Sequence, residues 1–173
     1  RMSRVSAELT KVSMNCFLST KIAFANMVGD LANKMGANRD HVLQAIGSDS
    51  RIGNKFFRYG FGFGGPCFPR DTRAFIRCAY ENDAYADIVT AANIANTKHL
   101  IDMVQTTEKE VPIDEPIKPE YVTYKPGVVI LDDSEQLAWA YALAKKGYKV
   151  IISDPEEVKR QLKERFGDLF HYE

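Results

Sequence analysis

From Leu9 to Leu31 the apolar residues recur at steps of three and four, the period of an α-helix. One stripe runs Leu9, Val12, Cys16, Thr20, Ala23, Met27 and Leu31, and a second runs Phe17, Phe24, Val28, Leu31 and Met35. Ser3 or Ser6 can cap the start, and Met35-Gly36 is a good stop. The spacing therefore predicts one helix over 6–35, above the usual length range. Two apolar stripes on one helix demand burial on more than one side, within a larger body or against a partner. Helices of this length commonly connect domains or form dimer interfaces.

The rest of the pattern divides in two. Asn38 or Asp40 caps a short helix through Ile46, closed by Gly47, and Ser48 to Gly65 reads as loop with Gly53, Gly60, Gly62, Gly64 and Gly65. Helices are expected from Pro69 to about Asn82 and from Asp83 to Gln105. Pro112, Pro116, Pro119 and Pro126 then forbid regular helix, so 109–126 reads as an extended linker. Beyond it, Val128–Leu131 and Lys149–Ile152 have strand character, while 134–146 and 156–166 are helical. Strand, helix, strand, helix is a βαβα unit with a parallel sheet. The expected fold is thus a mainly α helical domain over 1–108, with its long helix, followed by a small α/β unit over 127–173.

Composition narrows the class of function. The 173 residues carry 23 Lys+Arg against 23 Asp+Glu, and 45% are hydrophobic. Zero net charge argues against a nucleic-acid binder, which uses surplus cations to displace counterions, and the hydrophobic content argues against disorder. The nearly uncharged run Val12–Val28 is interrupted by Lys21 and dotted with Asn and Ser, so no membrane span is expected. The start, Arg1-Met-Ser-Arg, leads into no apolar signal core and hints at a fragment or processed chain. Cys16, Cys67 and Cys78 are odd in number and form no CxxC pair, which fits a reducing cytoplasm and no structural zinc.

The segment Arg51–Asp71 carries the chemistry. Its glycines allow a backbone to approach a ligand closely. Cys67 follows them and precedes Pro69, which suits the first turn of a helix. A helix N-terminus and the neighbouring Arg70 favour a thiolate. The plainer alternative is a small buried thiol after a flexible turn. Cys16, Cys78, Trp139, His41, His99 and His171 suggest no site; His41 and His99 read as surface or half-buried packing residues.

Gly62-Phe-Gly-Gly-Pro-Cys-Phe-Pro-Arg-Asp71 closely resembles the GFGGSCFPKD nucleophile motif of the UDP-glucose/GDP-mannose dehydrogenases. The resemblance extends through Asp49–Phe56, Ala7–Lys11, Asn15 and Lys21–Asn26, and covers roughly residues 6–100. It implies a four-electron oxidation of a nucleotide-sugar C6 alcohol to a carboxylate with NAD, with Cys67 as nucleophile through a thiohemiacetal and a thioester. Lys11 and Asn15 match the family's catalytic Lys and Asn. Four residues apart, they share a helix face and can reach one oxygen together. Asp71 matches an acid that positions water or a base, although a first-turn acid is also favoured by the helix dipole. Arg51 matches an arginine that reaches the neighbouring subunit's site, which implies a homodimer through helix 6–35. Phe56, Arg58, Tyr59, Gly60 and Gly62 fall on the implied substrate loop.

Two departures qualify the resemblance. The implied dinucleotide domain carries GxGxxG, and the glycines at 60–65 are no substitute, because they lead into the cysteine rather than from strand to helix. NAD is therefore expected to be bound mainly outside this sequence. Tyr124-Lys125-Pro126 echoes a Phe-Lys segment that places lysine on the substrate, without the TDD-R run that usually follows. Arg70 replaces the usual Lys. The expected function is that of a fragment of a UDP-sugar 6-dehydrogenase, with UDP-glucose as best substrate. The rival reading is a non-catalytic dimerisation or nucleotide-sugar-binding module.

Overall fold

Ser3 starts the long helix. In the computed structural model, which describes all residues 1–173, its hydroxyl accepts a hydrogen bond from the Ser6 N–H at 3.1 Å, and α1 runs Arg4–Lys34. It ends where Gly36 takes a φ of 71°, a left-handed conformation that costs glycine little. Contacts divide the chain into two units, Arg1–His99 and Leu100–Glu173.

In the first unit, α1 buries its small residues: Cys16, Ser19, Ala23, Ala25, Asn26, Gly29 and Ala32. Small side chains let neighbouring backbone come close. The large apolar residues Leu9, Met14, Phe17, Phe24, Met27 and Leu31 are exposed. Of the two predicted stripes only Cys16 and Ala23 are fully buried; Leu9, Met27 and Leu31 of the first and Phe17, Phe24 and Met35 of the second are exposed, so the inward face is one of small residues and the outward face one of large ones. The second helix, α2 (Arg39–Ser48), is capped by the Asn38 carboxamide, which accepts from the His41 N–H at 3.0 Å. Gly47 lies inside α2 instead of closing it; a Cβ there would collide with Asn54. α3 (Phe68–Glu81) begins directly after Cys67, and α4 spans Asp87–Glu110. Two small apolar clusters hold these elements, Ala23–Phe63–Ala92 and Ala25–Leu43–Phe57.

The second unit contains α5 (Glu135–Lys145), β1 (Ile151–Ile152), α6 (Glu156–Phe166), a 3-10 turn (Gly167–Leu169) and β2 (His171–Tyr172). β1 pairs parallel with β2, Ile151 opposite His171. On its other edge an isolated parallel bridge joins Val150 to Ile117. The proline-bearing stretch thus supplies a pairing residue, and it also contributes Val122 and Thr123 to the interior. The small parallel sheet is present, but not through Val128–Leu131. That segment forms no strand, and Val129 and Ile130 are exposed. Its carbonyls are taken one at a time: Val129 accepts from Gln161 at 3.2 Å, and Ile130 from the Tyr124 N–H at 3.1 Å. With those acceptors engaged no ladder forms, and the second strand is instead β2, beyond α6. No helix is long and apolar enough to cross a membrane.

Candidate active site

Cys67 occupies the N-cap of α3, and Pro69 stands in the first turn, where its missing N–H costs nothing. The Asp71 N–H donates to the Cys67 carbonyl at 2.9 Å. That bond closes the first turn and sets residues 67 and 71 on one helix face. Cys67 is exposed, whereas Asp71 is buried at 5%.

Asp71 is the centre of a polar cluster contributed by two helices. From α1, Asn15 Nδ2 donates to Asp71 Oδ2 at 2.6 Å and Lys11 Nζ at 3.3 Å. Arg70 donates to Oδ1 from Nε at 3.0 Å and from Nη2 at 2.9 Å. Burial alone raises the Asp71 pKa, but the hydrogen bonds from Arg70, Asn15 and Lys11, with the Arg70 charge, outweigh it and hold the carboxyl below its ordinary value. The sequence spacing placed Lys11 and Asn15 on one face; the fold brings both to a single oxygen.

The other helix-borne thiol behaves differently. Cys16 is buried, with Sγ 3.8 Å from the Asp71 carbonyl, and burial followed by the Asp71 charge pushes its pKa up. That environment suppresses the thiolate. An apolar hollow of about 270 Å³ beside Cys16, Phe17, Phe75 and Tyr85 is lined by none of Lys11, Asn15, Cys67 or Asp71.

The glycine loop is pinned by polar side chains. Lys21 Nζ donates to the Ile52 carbonyl at 2.9 Å and to that of Gly53 at 3.2 Å. The Gly60 N–H donates to Asn26 Oδ1 at 3.0 Å. Asn96 grips Phe63 from both sides, accepting from its N–H at 2.8 Å and donating to its carbonyl at 3.1 Å. Gly62 must lack a side chain because a Cβ would run into the Asn96 carboxamide. Tyr59 donates to Asp30 Oδ1 at 2.9 Å. Phe56 stands in the left-handed region at φ 59°, costly for a non-glycine residue, with its ring edge-on to Phe68 at 6.2 Å.

The remaining sequence candidates stay outside this cluster. Arg51 is exposed and bonds Asp49 through Nη2 at 2.6 Å and Nε at 3.0 Å. Arg58 is exposed. Lys125 lies on the surface of the second unit, its Nζ 5.4 Å from the Tyr124 ring centroid.

Sequence reasoning passed over Asp30 and Asn96, gave Asn26 no role, and read His99 as a surface or half-buried packing residue, whereas the fold buries it fully in a polar network. His99 is 2% exposed and uses both ring nitrogens, Nδ1 at 2.8 Å from Asp30 Oδ2 and Nε2 at 2.7 Å from the Gly60 carbonyl. The signal was available as polar residues inside small apolar stripes, Asn26 beside Ala23 and Ala25, and Asn96 and His99 following Ala92 and Ala95. Buried polar residues seek partners, and the glycine-loop backbone supplies them to Asn96, to His99 Nε2 and to Asn26 Oδ1, while Asn26 Nδ2 is buried without one.

Residues 5–98 match the profile of the UDP-glucose/GDP-mannose dehydrogenase family, central domain. A UDP-glucose 6-dehydrogenase of Rhizobium meliloti is 35% identical over 164 residues, covering 93% of this chain and 38% of the relative. UDP-glucose 6-dehydrogenase AglM of Haloferax volcanii is 32% identical over 164 residues, covering 94% of this chain and 38% of that protein. The structure of a UDP-glucose dehydrogenase from Pyrobaculum islandicum superposes with a TM-score of 0.89 at 33% identity, over 99% of this chain and 40% of the other. The chain thus spans about two-fifths of the length of these relatives. With its cysteine-led helix and glycine loop in the matched region, the chain belongs to the UDP-glucose/GDP-mannose dehydrogenase family and contains that family's central domain.

Proposed function

We propose that this chain is the part of a UDP-sugar 6-dehydrogenase that captures the sugar's C6 carbon, with UDP-glucose as substrate, NAD as oxidant and Cys67 as nucleophile. One observation carries the reading: Lys11 and Asn15 converge on one oxygen of Asp71, one helical turn from an exposed Cys67.

Oxidising an alcohol to an acid at one carbon takes two hydride removals, and a free aldehyde between them would escape or hydrate. The Cys67 thiolate forms a C–S bond to the aldehyde carbon while the carbonyl π pair moves to oxygen. The resulting thiohemiacetal keeps the C–H that the second oxidation needs. A cationic Lys11 and the Asn15 amide would donate to the oxyanion at each tetrahedral stage. Water then adds to the thioester, the C–S bond breaks, and the pair returns to sulfur. Asp71, which accepts from Lys11 and Asn15, would orient that water.

NAD would supply the hydride sink. The β–α turn of the second unit is not built to hold it. β1 passes through Ser153 and Asp154 into Pro155 at the N-cap of α6. Pro155 has no N–H to offer a phosphate, and the Asp154 side chain is already spent on the Val122 N–H at 3.1 Å. This turn does not fit the cofactor, and the roles proposed for Lys11, Asn15, Cys67 and Asp71 are confined to the sugar.

Cys67→Ser in the protein expressed from its own gene should remove uronate formation with no more than a small change in stability, since the side chain is exposed. Undiminished uronate from that variant would take Cys67 out of the mechanism. If no UDP- or GDP-sugar yields NADH with the unaltered protein, the non-catalytic binding module becomes the better reading.

The outward face of α1 supports a homodimer. Phe17, Phe24, Met27 and Leu31 are all about half exposed or more, and contiguous apolar surface of this kind marks an interaction site. Sedimentation at micromolar concentration should show a dimer; a strictly monomeric species would contradict this assembly, and with it a role for Arg51 in a neighbouring subunit's site.

A further inference from the structure

The buried His99 is unused by the chemistry above, yet it holds the centre of the glycine loop. Its Nε2 lies 2.7 Å from the Gly60 carbonyl oxygen. A carbonyl only accepts, so Nε2 carries a hydrogen. Its Nδ1 lies 2.8 Å from Asp30 Oδ2, and a carboxylate also only accepts. With an ionised Asp30, two acceptors face the ring, and the geometry points to hydrogen on both nitrogens, the imidazolium form. Asp30 from α1 faces the ring, and so does Tyr59 from the loop, whose ring stands edge-on at 5.3 Å and whose hydroxyl donates to the other Asp30 oxygen. Behind Tyr59 the Arg39 guanidinium of α2 covers the ring face at 4.1 Å. Lys34, one turn beyond Asp30 on α1, is exposed. The Asp30 carboxylate is in direct contact with the imidazole, and a negative charge there favours the cation.

The Gly60 peptide is held from both sides, by Asn26 at its N–H and His99 at its carbonyl. Asn96, one turn earlier on α4, fixes Phe63 in the same way. These side chains set the path of residues 60–63, which lead directly to Gly64, Gly65 and Cys67. We propose that His99 is a positioning residue: as an imidazolium bridging Asp30 and the Gly60 carbonyl, it locks the glycine loop in the conformation that binds the nucleotide sugar. The inference rests on the reading of that loop as the substrate cradle. Loss of one proton from the bridge removes one of its two bonds, so the lock weakens as pH rises.

Three measurements on the full chain, expressed from its own gene, test it. A long-range proton–nitrogen spectrum of the imidazoles at pH 7 should show both His99 nitrogens protonated; a neutral tautomer overturns the proposal and needs no variant. His99→Gln, which keeps one donor and no charge, should raise the KM for UDP-glucose at least fivefold with kcat within about twofold. An unchanged KM, or a kcat that falls as far as kcat/KM, overturns it. The unaltered protein should show a KM that rises with alkaline pH, and Asp30→Asn, which keeps the shape but not the charge, should flatten that rise. A retained rise overturns the role of the pair. A chain that neither turns over nor binds UDP-glucose would sink the proposed function and this role with it. A functioning enzyme whose KM ignores His99 would sink this role alone.

Discussion

The two units bury different chemistry. In Leu100–Glu173, thirteen apolar residues, from Val104 through Leu143 and Ile152 to Phe170, form one contiguous core, and Thr123, Ser134, Gln136 and Asp154 are buried as well. In Arg1–His99 the apolar clusters are small, and Ser19, Asn26, Asp71, Thr72, Asn96 and His99 are buried around them. Apolar packing is non-directional and tolerates exchange at constant volume. Buried polar groups must be paired, and pairing fixes angles as well as distances. The first unit therefore specifies the path of a loop and the orientation of a carboxylate more narrowly than a cluster of leucines would. Its large apolar side chains meanwhile lie outward on α1, where they add little to its own interior.

If the second unit stands on apolar volume, Leu143→Ala should hurt it most. Leu143 is fully buried, and such truncations cost about 2–5 kcal/mol. The denaturant midpoint of the unit reports it, and a loss well under about 1 kcal/mol would mean that the core does not carry the stability assigned to it. The corresponding probe in the first unit is Asn96→Ala. It removes almost no apolar area but leaves the Phe63 N–H and carbonyl without their bonds to that side chain. The expected cost is about 1–3 kcal/mol, concentrated as faster amide exchange at Phe63. Loss of stability without faster exchange there would mean that Asn96 acts through general packing rather than by pinning the loop.

What could be read from the sequence follows the same division. The helices of both units were legible because 3.6-residue periodicity and caps such as Ser3 and Asn38 are local features. The strand expected at Val128–Leu131 was not, because strand formation depends on a partner elsewhere, and Ile117 and His171 took those places beside β1. Within the site, Lys11, Asn15, Cys67 and Asp71 could be singled out from spacing and motif. Their convergence on one Asp71 oxygen could not, since it depends on how α1 meets α3. The pins of the loop were only half legible. Polar residues inside small apolar stripes mark Asn26 and His99 as buried, but they lie 34 and 39 residues from Gly60, and their own neighbourhoods do not say which distant backbone group they hold.

The smallest expected effect concerns Asp71 and acid. Burial raises its pKa, while the bonds from Arg70, Asn15 and Lys11 and the Arg70 charge lower it by more, so its folded value lies below 3.8, the ordinary value for an aspartate. A carboxyl depressed on folding contributes stability that is fully present above its unfolded pKa and lost as pH falls through the folded one. The Asp71 contribution should therefore be constant from neutrality to about pH 4 and decline only below that. Its size should be about 1 kcal/mol or less, because the Lys11 and Arg70 side chains are 64% and 65% exposed and their charges are screened. Asp71→Asn should remove this part of the acid limb and lower the neutral stability of the first unit by a similar amount. An acid limb that is the same with and without the substitution would assign the loss to other carboxylates. It would also leave the Lys11–Asn15–Asp71 cluster with a chemical role but no share in holding α1 to α3.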